Sequence, residues 1–184
     1  MKRIETTLPG VVLIEPDVFG DARGFFLESY NERKFLDLGI SDRFVQDNHS
    51  RSVRGTLRGL HYQVEHPQAK LCRVVQGEVL DVVVDIRPGS PTFGRHERAL
   101  LSAENRRQIY IPAGLAHGFL VLSEAAEFLY KCSDFYYPEL ERGIAWDDPD
   151  LGIDWGIQRP ILSGRDSRHP RLAEVNRADL PHLT

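Results

Sequence analysis

Apolar and polar residues alternate in short runs over most of the first 133 positions. VVLIEP (11–16), GFFLESY (24–30), TLRGLHYQ (56–63), KLCRVVQG (70–77), EVLDVVVDIR (78–87), RALLS (98–102), RQIYIP (107–112), HGFLVLSE (117–124) and EFLYKCS (127–133) all carry this texture. They are rich in β-branched and aromatic residues and are punctuated by Gly, Pro and Asp. Short, closely spaced strands of that kind predict a β-sandwich or barrel. In 78–87 apolar residues occupy both parities, which predicts a strand buried on both faces except at Asp81 and Asp85. A single helix is predicted near 31–39, with Asn31 as its cap, Phe35, Leu36 and Leu38 as its apolar face and Gly39 as its end. After residue 134 the pattern dissolves into Pro-, Gly- and Asp-rich sequence, read as loops and short helices over one opening of the β-structure. No internal repeat, low-complexity tract or linker interrupts the chain.

Composition narrows the picture. The 184 residues suit one domain spanning 1–184. A hydrophobic share of 41% is enough for a core, and a net charge of −4 without long charge runs disfavours nucleic-acid binding. Pro9, Gly10, Glu15 and Pro16 interrupt the N-terminal stretch, so it does not read as a signal peptide, and no run reaches the length of a membrane span. The two cysteines, Cys72 and Cys132, have no metal-type spacing. These features predict a cytoplasmic protein that binds neither membrane nor nucleic acid.

Four stretches carry candidate chemistry. In RGTLRGLHYQ (54–63), strand alternation puts Arg58 and His61 on opposite faces, with Gly59 between them. A bulge at Gly59 would bring both toward one cavity with Lys70. The alternative is an edge arginine and a hydrogen-bonded core histidine. PAGLAHGF (112–119) delivers His117 from a turn onto a strand and resembles the second motif of the cupin superfamily, a jelly roll enclosing a ligand cavity. Metal-binding cupins carry His-x-His in the first motif, whereas this chain has His61-Tyr62-Gln63, so the lost ligand predicts no metal. Tyr130 is either packing or an acid facing His61. Asp166, in SGRDSR (163–168), is either a solvated carboxylate or the group that orients the His61 ring.

These stretches together resemble the dTDP-4-dehydrorhamnose 3,5-epimerase family over nearly the whole chain. The resemblance is carried by DARGFFLESYN (21–31), FVQDNHSRS (44–52), RGTLRGLHYQ (54–63), residues 68–94, IPAGLAHGFLVLSE (111–124), residues 127–155 and ILSGRDSR (161–168). It implies a mainly β, cupin-type jelly-roll barrel with a few short peripheral helices. It also implies a homodimer that uses no cofactor and no metal, with a dTDP-4-keto-6-deoxyhexose as substrate. By resemblance His61 is the base, Asp166 its dyad partner, Lys70 the stabiliser of the enolate and Tyr130 the acid. Arg23, Glu28, Gln46, Asp47, Asn48, Arg58, His117, Glu141 and Arg165 are the implied substrate contacts, and Tyr136 would stack on thymine. Arg23 lies in the N-terminal segment that packs on the partner subunit in this family, so its contact is expected across the dimer. Two positions depart from the family pattern: Arg165 stands where lysine is common, and Gly156 where proline is usual. Relatives of the same architecture that invert one carbon or move the ketone are the nearest alternative. A metal-dependent oxygenase and a non-catalytic nucleotide-sugar-binding module are the more distant ones.

Overall fold

The computed structural model describes residues 1–182. The strands are β1 (Lys2–Glu5), β2 (Val12–Glu15), β3 (Val18–Asp21), β4 (Gly24–Leu27), β5 (Gln46–Val53), β6 (Leu57–Gln63) and β7 (Lys70–Gln76). They continue as β8 (Glu78–Asp85), β9 (His96–Ser102), β10 (Gln108–Ile111), β11 (Leu115–Val121), β12 (Ala125–Cys132) and β13 (Glu141–Gly143). One sheet has the order β1-β2-β10-β7-β12-β5, the other β13-β6-β11-β8-β9, and β3-β4 form a separate ribbon. From β5 onward the chain changes sheet at nearly every connection; the β8–β9 hairpin is the exception. That alternation is the jelly-roll topology predicted from the sequence.

The inward positions divide the interior into an apolar and a polar end. On β12, Ala126 and Phe128 belong to the core and Tyr130 lies beyond them; on β11, which runs the other way, Phe119 and Val121 belong to the core and follow His117. On β7, Val74 and Cys72 are core and Lys70 is not. Each strand thus runs from packing into chemistry with the same two-residue period.

The outer face of the five-stranded sheet is covered rather than solvated. Leu57, Leu60, Val82, Val84 and Leu120 pack there against Ile144, Leu151, Trp155, Leu172 and Leu180. The segment after residue 134, predicted to cover one opening, therefore lies mainly against this face. The reason is the apolar outward row of β6, β8 and β11, which offers more area to bury than a cavity mouth does.

Two further expectations are corrected. Asp81 and Asp85 are both fully buried, while Glu78 and Leu80 on the same strand are half-buried. Each aspartate has internal partners that make burial tolerable. Asp81 Oδ2 lies 2.9 Å from His117 Nε2. Asp85 accepts hydrogen bonds from the Arg87 N–H and guanidinium, Ser90 Oγ at 2.5 Å and Thr92 Oγ1 at 2.6 Å. The helix α1 (Glu32–Asp37) forms as predicted, with Asn31 accepting from the Lys34 N–H and Gly39 at φ +79° after its end. Of its three apolar residues, Phe35 is buried and Leu38 half-buried, but Leu36 is exposed, because one short helix can turn only one stripe inward.

Asp85 gives a pH test of the fold. Burial pushes its carboxyl up, but the Arg87 guanidinium, Ser90, Thr92 and the Arg87 N–H outweigh that and hold it at about 2. A folded-state pKa below the unfolded one contributes stability that is complete above pH ~4 and is lost as the pH falls to ~2, here about 2 kcal/mol. Thermal melts of Asp85→Asn should therefore fall below wild type at pH 7 and converge toward it near pH 2. A pH-independent gap would refute the role of the carboxylate charge.

Candidate active site

The polar end of the interior is a cavity of about 330 Å³. β5 lines it with Gln46, Asn48 and Ser50, β6 with Arg58 and His61, β7 with Lys70, β11 with His117 and Phe119, and β12 with Phe128 and Tyr130. Gln68, Gly118, Tyr136 and Glu141 complete the wall. Phe119 and Phe128 stack at 4.2 Å, and Tyr130 follows at 6.0 Å from Phe128, so the polar groups stand on an aromatic floor.

Arg58 and His61 share this cavity because β6 is bulged. His117 pairs with His61 and Phe119 with Arg58, so three steps along β6 match two along β11. The extra residue reverses the parity between Arg58 and His61. Gly59 sits inside this step at φ +114°, and a Cβ there would lie 2.6 Å from both Gly118 Cα and the His117 carbonyl oxygen. Glycine is the residue that fits such a close approach of two strands.

His61 Nε2 lies 2.6 Å from Asp166 Oδ1. Burial pushes the Asp166 carboxyl up, but His169, His61 and Ser163 carry it well below the usual carboxylate range. An ionised carboxylate only accepts, so the proton between the two belongs to His61 Nε2. That leaves Nδ1 with the lone pair, 3.9 Å from Glu141 Oε1 of the cavity wall. Asp166 opens a one-turn 3-10 helix, Asp166–Arg168, and its N–H donates to Ser163 Oγ at 3.0 Å.

Tyr130 belongs to the facing sheet. Burial pushes its phenol far above the ordinary value, so it stays protonated at neutral pH. Lys70 is half-buried in the same cavity wall. A cation placed thus in a partly dry cavity acts on charge far more strongly than it would in water.

The other sequence-predicted residues separate into two groups. Arg58 Nε donates to Ser52 Oγ at 3.0 Å, and His117 is held by Asp81. Gln46 Nε2 donates to Asn48 Oδ1 at 3.1 Å. At the rim, the Tyr136 hydroxyl donates to Glu141 Oε2 at 2.8 Å, and the Arg165 guanidinium pairs with the same carboxylate. Arg23, Glu28 and Asp47 do not line this chain's cavity. The Arg23 side chain is 89% exposed and pairs with Asp21 on the β3–β4 ribbon; Glu28 pairs with Lys34. Asp47, on the outward parity of β5, pairs with Lys131. Gln63 is fully engaged: Nε2 donates to the His66 and Phe135 carbonyls and Oε1 accepts from the Tyr137 N–H.

Sequence reading missed Asp81 as the partner of His117, and it missed His169. His169 Nε2 lies 3.4 Å from Asp166 Oδ1, and its ring meets His61 edge-on at 5.5 Å. The spacing of three from Asp166 was its only sequence signal. His61, Asp166 and His169 bring three ligand-type atoms within 4.8 Å. Two of them, His61 Nε2 and Asp166 Oδ1, face one another at hydrogen-bonding distance.

The site's likeness to known proteins is extensive. Residues 5–174 match the dTDP-4-dehydrorhamnose 3,5-epimerase family. The dTDP-4-dehydrorhamnose 3,5-epimerase of Pseudomonas aeruginosa is 58% identical over 96% of this chain and 98% of its own length. The crystal structure of dTDP-6-deoxy-D-glucose-3,5-epimerase from Legionella pneumophila, in complex with dTDP-4-keto-L-rhamnose, superposes with a TM-score of 0.97 at 50% identity, covering 100% of this chain and 98% of that one. A 3'-monoepimerase from Streptomyces bikiniensis in complex with dTDP-quinovose superposes with a TM-score of 0.90 at 40% identity, over 96% and 91% of the two chains. With its jelly roll and near full-length identity, the chain belongs to the dTDP-4-dehydrorhamnose 3,5-epimerase family and is an isomerase.

Proposed function

We propose that the chain inverts both C3 and C5 of dTDP-4-dehydro-6-deoxy-D-glucose, giving dTDP-4-dehydro-L-rhamnose. The observation that carries this reading is the pairing of His61–Asp166 on one sheet with the neutral Tyr130 on the facing sheet, inside one cavity. A hydrogen alpha to the C4 ketone is weakly acidic. His61 Nδ1 removes it as a base, and Asp166 stabilises the imidazolium that results. The negative charge moves to the ketone oxygen, where Lys70 supplies a fixed positive charge. Tyr130 then gives its proton to the carbon from the opposite face, which inverts the centre. Exchange with water restores His61 and Tyr130, and a shift of the ring presents the second carbon to the same pair.

The nucleotide takes the remaining residues. Arg58 and Arg165 offer forked donors to the diphosphate, and Tyr136, whose ring is exposed at the mouth, stacks on thymine. Gln46, Asn48, His117 and Glu141 supply hydrogen bonds. Arg23 and Glu28 reach a site only across a homodimer, a reading supported by the exposed Phe19, Phe25 and Phe26 of the same ribbon. Asp47 pairs with Lys131 on the outward side of β5, and its substrate contact rests on the family resemblance. The reading includes one domain acting in the cytoplasm. Two buried free thiols, Cys72 and Cys132, suit a reducing compartment, and among the described residues no helix is long and apolar enough to cross a membrane.

The structural likeness to a 3'-monoepimerase supports a second reading, inversion at one carbon. Incubation with dTDP-4-dehydro-6-deoxy-D-glucose in deuterated water, with chelator, separates the two by NMR. Deuterium is expected at C3 and C5. Label at one carbon alone would establish the single-carbon reading, label at neither would refute epimerisation, and loss of label only with chelator would assign the chemistry to a metal.

A further inference from the structure

His169 belongs to no element that forms the cavity, yet it is built against the dyad. Its side chain is 9% exposed. It follows the Asp166–Arg168 turn and precedes Pro170, which favours the extended backbone it adopts at φ −65° and ψ 141°. The Ala145 N–H donates to the Pro170 carbonyl at 2.8 Å and anchors this corner to the strand side. Gly143 completes the arrangement. It pairs with His61 across β13 and β6, and a Cβ on it would lie 2.4 Å from His169 Nε2. The backbone at 143 is bare where the imidazole rests.

Three relations then tie His169 to the dyad. Its Nε2 lies 3.4 Å from Asp166 Oδ1, the atom that also accepts from His61, and an oxygen with two lone pairs has room for both. Its ring stands at 82° to the His61 ring, an edge-to-face contact that limits ring rotation. Its Nε2 is buried and makes no hydrogen bond among the described residues, which leaves Asp166 Oδ1 at 3.4 Å as its ion-pair neighbour. At 3.4 Å the approach to Asp166 falls outside hydrogen-bond geometry in this arrangement, so the contact is an electrostatic one. We propose that His169 is a positioning residue for epimerisation: as a second imidazole on Asp166 it holds the carboxylate aimed at His61 Nε2 and keeps the His61 lone pair directed into the cavity. This inference rests on the epimerase reading. The low Asp166 pKa agrees with it, since His169 as well as His61 favours the ionised carboxylate.

Three variants test it. His169→Phe keeps the ring volume and removes the donor, His169→Gln restores an N–H donor, and Gly143→Ala displaces an unaltered His169. Exchange kinetics, thermal melting and the downfield proton resonance of His61 Nε2–H are measured on each. His169→Phe and Gly143→Ala are expected to lower kcat about tenfold with KM changed less than about twofold, and to move the downfield resonance. His169→Gln should recover kcat to within about threefold of wild type. Wild-type kcat with an unmoved resonance in His169→Phe would overturn the proposal. So would equal losses in Phe and Gln variants that track a lowered Tm, since these mark packing alone. If the wild-type protein exchanges no deuterium, the epimerase reading fails, and the resonance in His169→Phe still decides whether His169 sets the His61–Asp166 hydrogen bond.

Discussion

Deuterium exchange in a His61→Ala protein is expected to fall by about two to four orders of magnitude at both ring carbons, while the protein stays folded. The large effect follows from the geometry around the ring. Nε2 is held by Asp166, so Nδ1 is the free lone pair, and the second cavity histidine, His117, is held by Asp81. No other uncommitted imidazole lines the cavity among the described residues. The fold should survive because the His61 side chain is 27% exposed, and water can enter the space it leaves. Asp166 loses one hydrogen bond but keeps Ser163 and His169, which limits the stability cost to about 1–3 kcal/mol. Exchange by NMR beside a thermal melt checks both parts. Wild-type exchange would remove His61 as the base, and loss at one carbon only would assign the other carbon to a different group.

Gly59→Ala should act in the opposite way, on the fold before the chemistry. At φ +114° any side chain is strained, and the new methyl would meet Gly118 Cα and the His117 carbonyl at 2.6 Å. Those atoms belong to the neighbouring strand's backbone and cannot swing aside as a side chain would. Gly118 reports the same contact from its own side, where a Cβ would lie 2.6 Å from the Arg58 carbonyl oxygen. Combining backbone strain with overpacking gives a loss of about 3 kcal/mol or more. Urea denaturation of Gly59→Ala measures it. Stability within about 0.5 kcal/mol of wild type would mean that the bulge tolerates a side chain, against the surface-mutation scale.

The parts of the fold with strong periodicity were legible. The runs at 56–63, 70–77, 78–87 and 117–124 correspond to β6, β7, β8 and β11, and the Asn31–Gly39 helix to α1. β5 carries no such signal, although it pairs with β12 along eight residues. Its inward Gln46, Asn48 and Ser50 face the cavity while its outward Asp47, His49 and Arg51 are exposed or ion-paired. Both faces are polar, so alternation leaves no hydrophobic mark. Asp81 and Asp85 misled for a related reason: a charge in a strand reads as exposed until its partner is known, and His117 stands 36 residues from Asp81.

The sequence by itself determined the strand-rich texture, the helix with its cap, the glycine between Arg58 and His61, and the resemblance that named most of the cavity's residues. Those features are local, because side-chain period, capping and glycine's backbone freedom act within a few residues. The tertiary structure decided how the groups meet. It reversed the parity of Arg58 and His61 through one extra residue in β6, where the sequence offered a bulge only as one of two readings. It brought Asp166 onto a histidine 105 positions away, which only the resemblance had implied, and it alone seated His169 beside them over a bare Gly143. Such contacts depend on sheet pairing and burial across the whole chain, where partners distant in sequence make a buried charge stable.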